Sequence, residues 1–211
     1  MMKYLIENPE RILTLLGEHL RLTGISLLLA LLIALPLGVL AARIPRLRDV
    51  LLGILGVIYT IPSLALLVLL IPFTGLSPNT AIIALVAYAQ LVLVRNIVVG
   101  LTGVDRALIE AAKGMGMSSG QIFRRVELPL ALPLILAGTR IAAVSTVGIA
   151  TIAAFISAGG LGVLLFEGVR TSNNDKILAG AIAVSAVAIV LNAVLWLAER
   201  RAARTAYGVA A

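Results

Sequence analysis

An all-helical integral membrane protein with about five transmembrane spans is expected, for three reasons. Hydrophobic residues make up 61% of the 211 and charged residues only 13%, against about a quarter charged in a soluble domain. The charges that do occur sit between long charge-free runs. Those runs match the roughly 20 residues a helix needs to cross a hydrocarbon core of about 30 Å. A water-facing globule of this length cannot hide so much apolar side chain. Cysteine is absent, which removes disulfides and thiolate metal sites.

The elements follow in order. The start, MMKYLIENPERILTLLGEHLRLTG, mixes acids with bases and shows no small-residue cleavage site, so it does not read as a cleavable signal. Asn8 is placed to cap a helix with Pro9 at its first position. Leu5, Ile12, Leu13, Leu16 and Leu20 make one apolar stripe. Residues 1–19 are therefore expected as a short interfacial segment leading into the membrane. No charge occurs between Arg21 and Arg43, which gives the first span. The charge-free stretch 50–94 holds two more, separated by IPFTGLSPN. A fourth runs from Pro129 to about Ser157, interrupted by Arg140, and a fifth covers 177–198. The chain then divides into the segment 1–19, a single membrane domain over 20–200 and a tail, 201–211.

Lys and Arg set the expected orientation. One side collects Arg43, Arg46, Arg48, Arg95, Arg106, Lys113, Arg124, Arg125, Arg200, Arg201 and Arg204. The other holds Lys3, Arg11, Arg21, Arg170 and Lys176, with acids among them. The richer side is read as cytoplasmic, so the N-terminus faces out and the C-terminus in. The net charge of +7 is thus a topology signal, and nucleic acid is excluded as a partner.

The longest cytoplasmic loop, 103–129, is polar and glycine-rich. Asp105 can cap a helix through about Lys113. Gly114 and Gly116 permit the positive φ that ends it. Ser118 with Gln121 forms an S-x-x-Q capping box, so a second short helix should start there. Leu128-Pro129 is expected to stop that helix and return the chain to lipid. Met115, Met117, Ile122 and Phe123 are then apolar residues facing water unless covered, which points to a docking surface.

Glu110-Ala111-Ala112, three residues, Gly116, nine residues, then Val126-Glu127-Leu128-Pro129 resembles the EAA loop of bacterial ABC importer permeases. Valine at 126 in place of isoleucine is the only departure. The segments YTIPSLALL, RNIVVGL, ALIEAAKGMGMS and SAGGLGVLLFEG resemble the betaine, carnitine and choline permease branch, and together with the spans between them cover most of the chain. Branches that import methionine or other amino acids share much of this pattern.

The resemblance implies a MetI-like ABC permease fold and a coupling loop seated in a separate ATP-hydrolysing subunit. Glu110 and Gly116 would hold the shape of the turn, and Ala111, Ala112, Leu128 and Pro129 belong to the same coupling motif. Met115, Met117, Ser118, Gln121, Ile122 and Phe123 would make the contact. It also implies an ATP-binding subunit dimer, a second permease copy or homologue, and an extracytoplasmic solute-binding protein as partners. The chain lacks G-x-x-x-x-G-K-[ST], the loop that cradles nucleotide phosphates. Its one histidine, His19, precedes the first span. No catalytic residue, metal site or cofactor is assigned, and the chain reads as a non-enzymatic subunit.

Several residues carry two readings. Pro62 either hinges span two or gives it a static kink; Thr60 and Ser63 either satisfy the freed backbone groups or face solute. Arg140 either lines the pathway, pairs inside the bundle or snorkels to the boundary. The glycines of SAGGLG (Gly159, Gly160 and Gly162) form either an external gate or an ordinary turn. Asn96 and Asn192 read as interhelical hydrogen-bond partners. Aromatics make up 4%, with Tyr59, Tyr88, Phe155 and Trp196 scattered over four spans, so tight capture of a quaternary ammonium is expected elsewhere. The function expected is import of a compatible solute of the glycine betaine, choline or carnitine type by alternating access. Amino-acid import is the alternative. A self-sufficient channel or ion-driven carrier is disfavoured, because all ten acidic residues lie outside the apolar runs.

Overall fold

In the computed structural model the described residues are Tyr4 and 7–208. Lys3 and Leu5, named above, and the end of the tail lie outside them. The described residues are helical almost throughout. Helix α1 is Pro9–Arg43, α2 is Pro45–Thr60 and α3 is Ser63–Thr74. Then come α4, Pro78–Thr102, and the two short helices α5, Arg106–Gly114, and α6, Ser119–Ile122. A π turn, Phe123–Glu127, leads into α7, Leu128–Ala153. Helices α8, Gly162–Arg170, and α9, Asn174–Tyr207, close the chain.

Four stretches are long and apolar enough to cross a membrane singly, and α2 with α3 make a fifth if the bent pair is one span. The pair turns by 97° at Ile61-Pro62. Proline has no N–H to continue the ladder. The Ile61 carbonyl left over at the break accepts from the buried Tyr88 hydroxyl on α4. Thr60 instead bonds back to the Val57 carbonyl at 2.7 Å. The kink expected at Pro62 is thus a full break, bridged by a tyrosine from the next span.

Pro9 starts α1 as expected, but the Asn8 side chain does not cap it; its Nδ2 donates backwards to the Tyr4 carbonyl at 3.3 Å. The helix runs 35 residues without a break at 19–20. At 1.5 Å per residue it is about 50 Å long, well beyond one hydrocarbon core. Ile12, Leu15 and Leu16 pack on Leu161 and Leu164, while Leu13 and Leu20 are exposed. Part of the stripe therefore rests on protein rather than on a membrane surface.

The centre of the bundle is α1, α4 and α7 packed on one another, with α9 laid along α7. Small residues set the spacing: a Cβ on Gly38 of α1 would stand 2.6 Å from Ile97 of α4. Asn96 does not bond across helices; its amide donates to its own Val92 carbonyl at 2.8 Å. Its side chain lies directly against Gly138 of α7. The outward faces of α9 and of α2–α3 carry exposed Ile, Leu, Val and Phe, the surface lipid covers in a spanning helix.

Candidate functional site

The loop between α4 and α7 is built almost wholly from local chemistry. Asp105 Oδ1 accepts from the Ala107 N–H at 2.9 Å and caps α5. At the other end of α5 the Gly116 N–H reaches the Lys113 carbonyl at 2.9 Å, and the Met117 N–H reaches the Ala112 carbonyl at 3.1 Å. These are the two bonds of a Schellman closure, with Gly116 at the left-handed position, φ +78°. Gly114, expected to share the turn, remains helical. Both bonds of the capping box are present: Gln121 Oε1 accepts from the Ser118 N–H at 2.8 Å and Ser118 Oγ from the Gln121 N–H at 3.4 Å.

The turn presents Met115 with three-quarters of its surface exposed, and Met117 half-buried. Glu110 is exposed and pairs with Lys113 at 2.9 Å. Ala111 is exposed and Ala112 buried. Ser118, Gly120, Gln121, Arg124 and Arg125 line a shallow cleft of about 470 Å³. Two residues expected on the open face are not there. Ile122 is buried, and Phe123 is half-buried against the core of α1, α4 and α7.

Leu128-Pro129 does not stop the second helix. Residues 119–156 are continuously helical. The π turn provides the reason: the Leu128 N–H bonds to the Phe123 carbonyl five residues back. Pro129 is the second residue of α7 and the helix passes through it. Leu128 packs on the core and Pro129 is exposed.

Glu127 went unassigned in the sequence. It is buried, and both its oxygens accept from the Arg43 guanidinium at the end of α1, Nη1 to Oε1 at 2.9 Å and Nη2 to Oε2. An acid in mid-motif and a lone arginine closing a charge-free run were the available signals, but nothing in the spacing joins them.

At the far end of the bundle the SAGGLG turn packs on α1. Ser157, Gly159 and Gly160 all have positive φ. The Gly160 N–H donates to Glu18 Oε2 at 2.9 Å. A Cβ on Gly160 would stand 3.0 Å from His19 Nδ1, and one on Gly162 would overlap the Thr151 carbonyl. His19 is fully buried beside the Val147 backbone, and neither ring nitrogen attains hydrogen-bond geometry. Arg11 pairs with Glu167 at 2.5 Å and Lys176 with the same acid at 3.3 Å. Beside this turn Glu18, Arg21, Asn79 and Ser157 edge a cleft of about 810 Å³ with apolar walls from α1 and α4.

Arg140 is paired inside the bundle, to Glu199 at 2.8 Å and to Asn192 at 3.2 Å on α9. Tyr59 and Tyr88, expected apart, meet edge to face with ring centres 5.9 Å apart. Phe155 and Phe166 are similarly close at 5.8 Å.

Residues 34–204 match the family model described as binding-protein-dependent transport system inner membrane component. The chain is 40% identical over 195 residues to the carnitine transport permease protein OpuCB of Listeria monocytogenes, covering 92% of this chain and 89% of that protein. It is 39% identical over 201 residues to the choline transport system permease protein OpuBB of Bacillus subtilis, covering 95% and 93%. The osmoprotectant import permease protein OsmW of Salmonella typhimurium is 39% identical over 202 residues, with 93% of each chain covered. Among solved structures, an inward-facing MetNI methionine ABC transporter superposes with a TM-score of 0.78 at 27% identity, covering 94% of this chain and 98% of that one. An amino acid ABC transporter with histidines superposes at 0.77 and 21% identity, covering 95% and 98%, a likeness of fold alone.

Proposed function

Because this chain belongs to the family of binding-protein-dependent transport system inner membrane components, the non-catalytic permease subunits of ABC importers, we propose that its solute is an osmoprotectant of the betaine, carnitine or choline type. The protein is a multi-pass component of the bacterial cytoplasmic membrane, and its class works with an ATP-hydrolysing subunit and a solute-binding protein. The observation that carries the solute class is the 38–40% identity, over nearly the whole chain, to permeases named for those solutes. The amino-acid alternative draws only on the more distant structural neighbours.

The α5–α6 turn is the docking element for the ATPase, and it faces the cytoplasm with the arginine-rich side. The Schellman closure and the capping box hold Met115 and Met117 in fixed positions on an exposed knob, the form a cleft in a partner can grip. Gly116 and Glu110 keep its shape. The segment 1–19 then lies on the outer face, where 9–19 are the first residues of α1, 20–200 form the transmembrane domain, and 201–211 form the cytoplasmic tail. Two permease chains, identical or homologous, surround one pathway. Nucleotide-dependent closure of the ATPase pair draws the two turns together and opens the pathway outward; hydrolysis resets it. A switch of this kind requires different contacts in its two states.

The binding protein does the selecting, and this chain conducts. At the Pro62 break Thr60 and Ser63 border the pathway, and the turn of Gly159, Gly160 and Gly162 closes its outer end. Arg140, held by Glu199 and Asn192, acts as a strut between α7 and α9. The test is reconstitution with the ATPase and the binding protein in liposomes. ATP-dependent uptake of labelled glycine betaine, choline or carnitine, unaffected by excess methionine, is the expected result. Uptake blocked by methionine and indifferent to betaine reverses the assignment. A photocrosslinker at Met117 should land on the ATPase in the same liposomes.

A further inference from the structure

Arg43 is the last residue of α1, and the chain breaks at Ile44 before Pro45 opens α2. Its guanidinium crosses to Glu127, 84 positions later, and engages both carboxylate oxygens. The same guanidinium stands 5.8 Å from the centre of the Phe123 ring. Phe123 and Glu127 are the first and last residues of the π turn. One side chain from α1 therefore holds both ends of the segment that joins α6 to α7.

That segment is the weak point of any mechanical link through the loop. A π turn has a wider hydrogen-bond ring than an α-helix, and such bulges recur at functional sites. Left alone, it would flex when α6 is pushed. A two-point guanidinium–carboxylate contact fixes orientation as well as distance, and a lysine cannot reproduce it. Glu127 is moreover the only acid buried among the described residues, so it has no solvent to turn to when the arginine is withdrawn.

We propose that Arg43 is a positioning residue for energy coupling. By clamping the π turn through Glu127 and Phe123, it makes α6, the base of α7 and the end of α1 move as one piece. This rests on the reading of the α5–α6 turn as the ATPase docking element.

The test uses the whole transporter, with its ATPase and binding protein, in liposomes, and reads ATP hydrolysed per solute accumulated. Arg43→Gln removes the clamp. Arg43→Lys keeps the charge without the fork. Arg43→Glu combined with Glu127→Arg rebuilds the pair in reverse. The ratio is expected to rise at least about fivefold in Arg43→Gln, the low end of measured couplings between sites. It should rise less in Arg43→Lys and return toward wild type in the reversed pair.

A merely structural ion pair would lower the amount of assembled transporter and leave the ratio unchanged. A wild-type ratio in Arg43→Lys, with either a wild-type ratio or no assembly in Arg43→Gln, overturns the proposal, as does a reversed pair that assembles and stays uncoupled. Failure of the underlying reading looks different: wild type transports, but a crosslinker at Met117 never reaches the ATPase.

Discussion

The two polar turns at opposite ends of this bundle both start from a Schellman closure and are then held by different means. The turn at 105–129 is assembled from neighbours in sequence: an Asp cap, a Schellman glycine, a capping box. Apart from the Arg43 tether, the polar contacts that shape it join residues a few positions apart. The turn at 157–162 also opens on a Schellman closure, with the Ser157 N–H on the Ala154 carbonyl at 3.2 Å, the Ala158 N–H on the Ala153 carbonyl at 3.3 Å and Ser157 left-handed at φ 61°, but it has no side-chain cap or capping box of its own. Its glycines are then confined by what lies against them: Glu18 and His19 from α1, the Thr151 carbonyl from α7. The first leaves an exposed face, with Met115 at its tip. The second is largely covered, with Gly160, Leu161 and Gly162 all buried. A self-supporting turn can offer its surface to another molecule without losing its shape. A turn held by distant contacts moves only when those contacts move, which suits an element that must follow the helices.

The sharpest way to break this comparison is at Gly162. Valine there places a side chain into the Thr151 carbonyl, and backbone cannot yield as a flexible side chain can. Gly162→Val should cost ~3 kcal/mol, the upper range for overpacking. The expected result is a strong fall in folded protein, read as monodisperse yield and melting temperature in detergent. A near wild-type melt would mean that the end of α7 does not impose this turn.

At Gly116 the space is open, with nothing within 4 Å of an added Cβ. Only φ +78° opposes a side chain there, at ~1–2 kcal/mol for the left-handed region. Gly116→Val should therefore insert and fold but lose the knob. Uptake is expected to fall by about tenfold or more, equivalent to ~1.4 kcal/mol in the docked state, with the membrane level unchanged. Wild-type uptake in this variant would count heavily against the loop as the docking element. Substituting either glycine thus separates folding from coupling, and the two readouts should not exchange places.

The same division explains what the sequence made legible. Asp105, Ser118 with Gln121, and Gly116 could be assigned because caps and turns depend on residues two to five positions apart. The spans could be assigned because charge is excluded from lipid over a length that can be counted. Contacts over long separations had no such signal. Arg43 with Glu127, Arg140 with Glu199, Tyr88 with the Ile61 carbonyl and Glu18 with Gly160 all join helices through packing geometry. Pro129 departs from the expected helix stop for a related reason. A leucine–proline pair normally ends a helix, but here the helix passes through the pair directly behind a π turn, and one missing N–H does not announce that register change. Ile122 and Phe123 are apolar residues in a polar loop; which of them faces inward is decided by the core they meet.

A smaller effect is expected at Glu18. The residue is exposed, and its carboxylate accepts the Gly160 N–H at 2.9 Å. Glu18→Ala should cost about 1 kcal/mol, the net value of one hydrogen bond, seen as a lowered melting temperature in detergent. The far turn has other supports, so uptake should persist. Loss of all uptake with an unchanged melt would instead make Glu18 part of the solute path, at the edge of the 810 Å³ cleft.

The smallest change in stability belongs to Met115. Most of its surface is exposed, so truncation to alanine removes almost nothing from the folded chain, within ~0.5 kcal/mol. What it removes is the apolar tip of the knob. An exposed methionine in a partner's groove adapts to irregular walls, and a central apolar anchor contributes more to docking than its neighbours. Met115→Ala should leave the melting temperature unmoved and weaken association with the ATPase several-fold, on the order of 1 kcal/mol, measured by titrating the purified ATPase subunit into permease-containing nanodiscs. An effect on stability without one on association would place Met115 in the fold of the turn and leave the docking surface to Met117 and the cleft beside Gln121. Either result states how far a turn that supports itself also acts as the gripping surface.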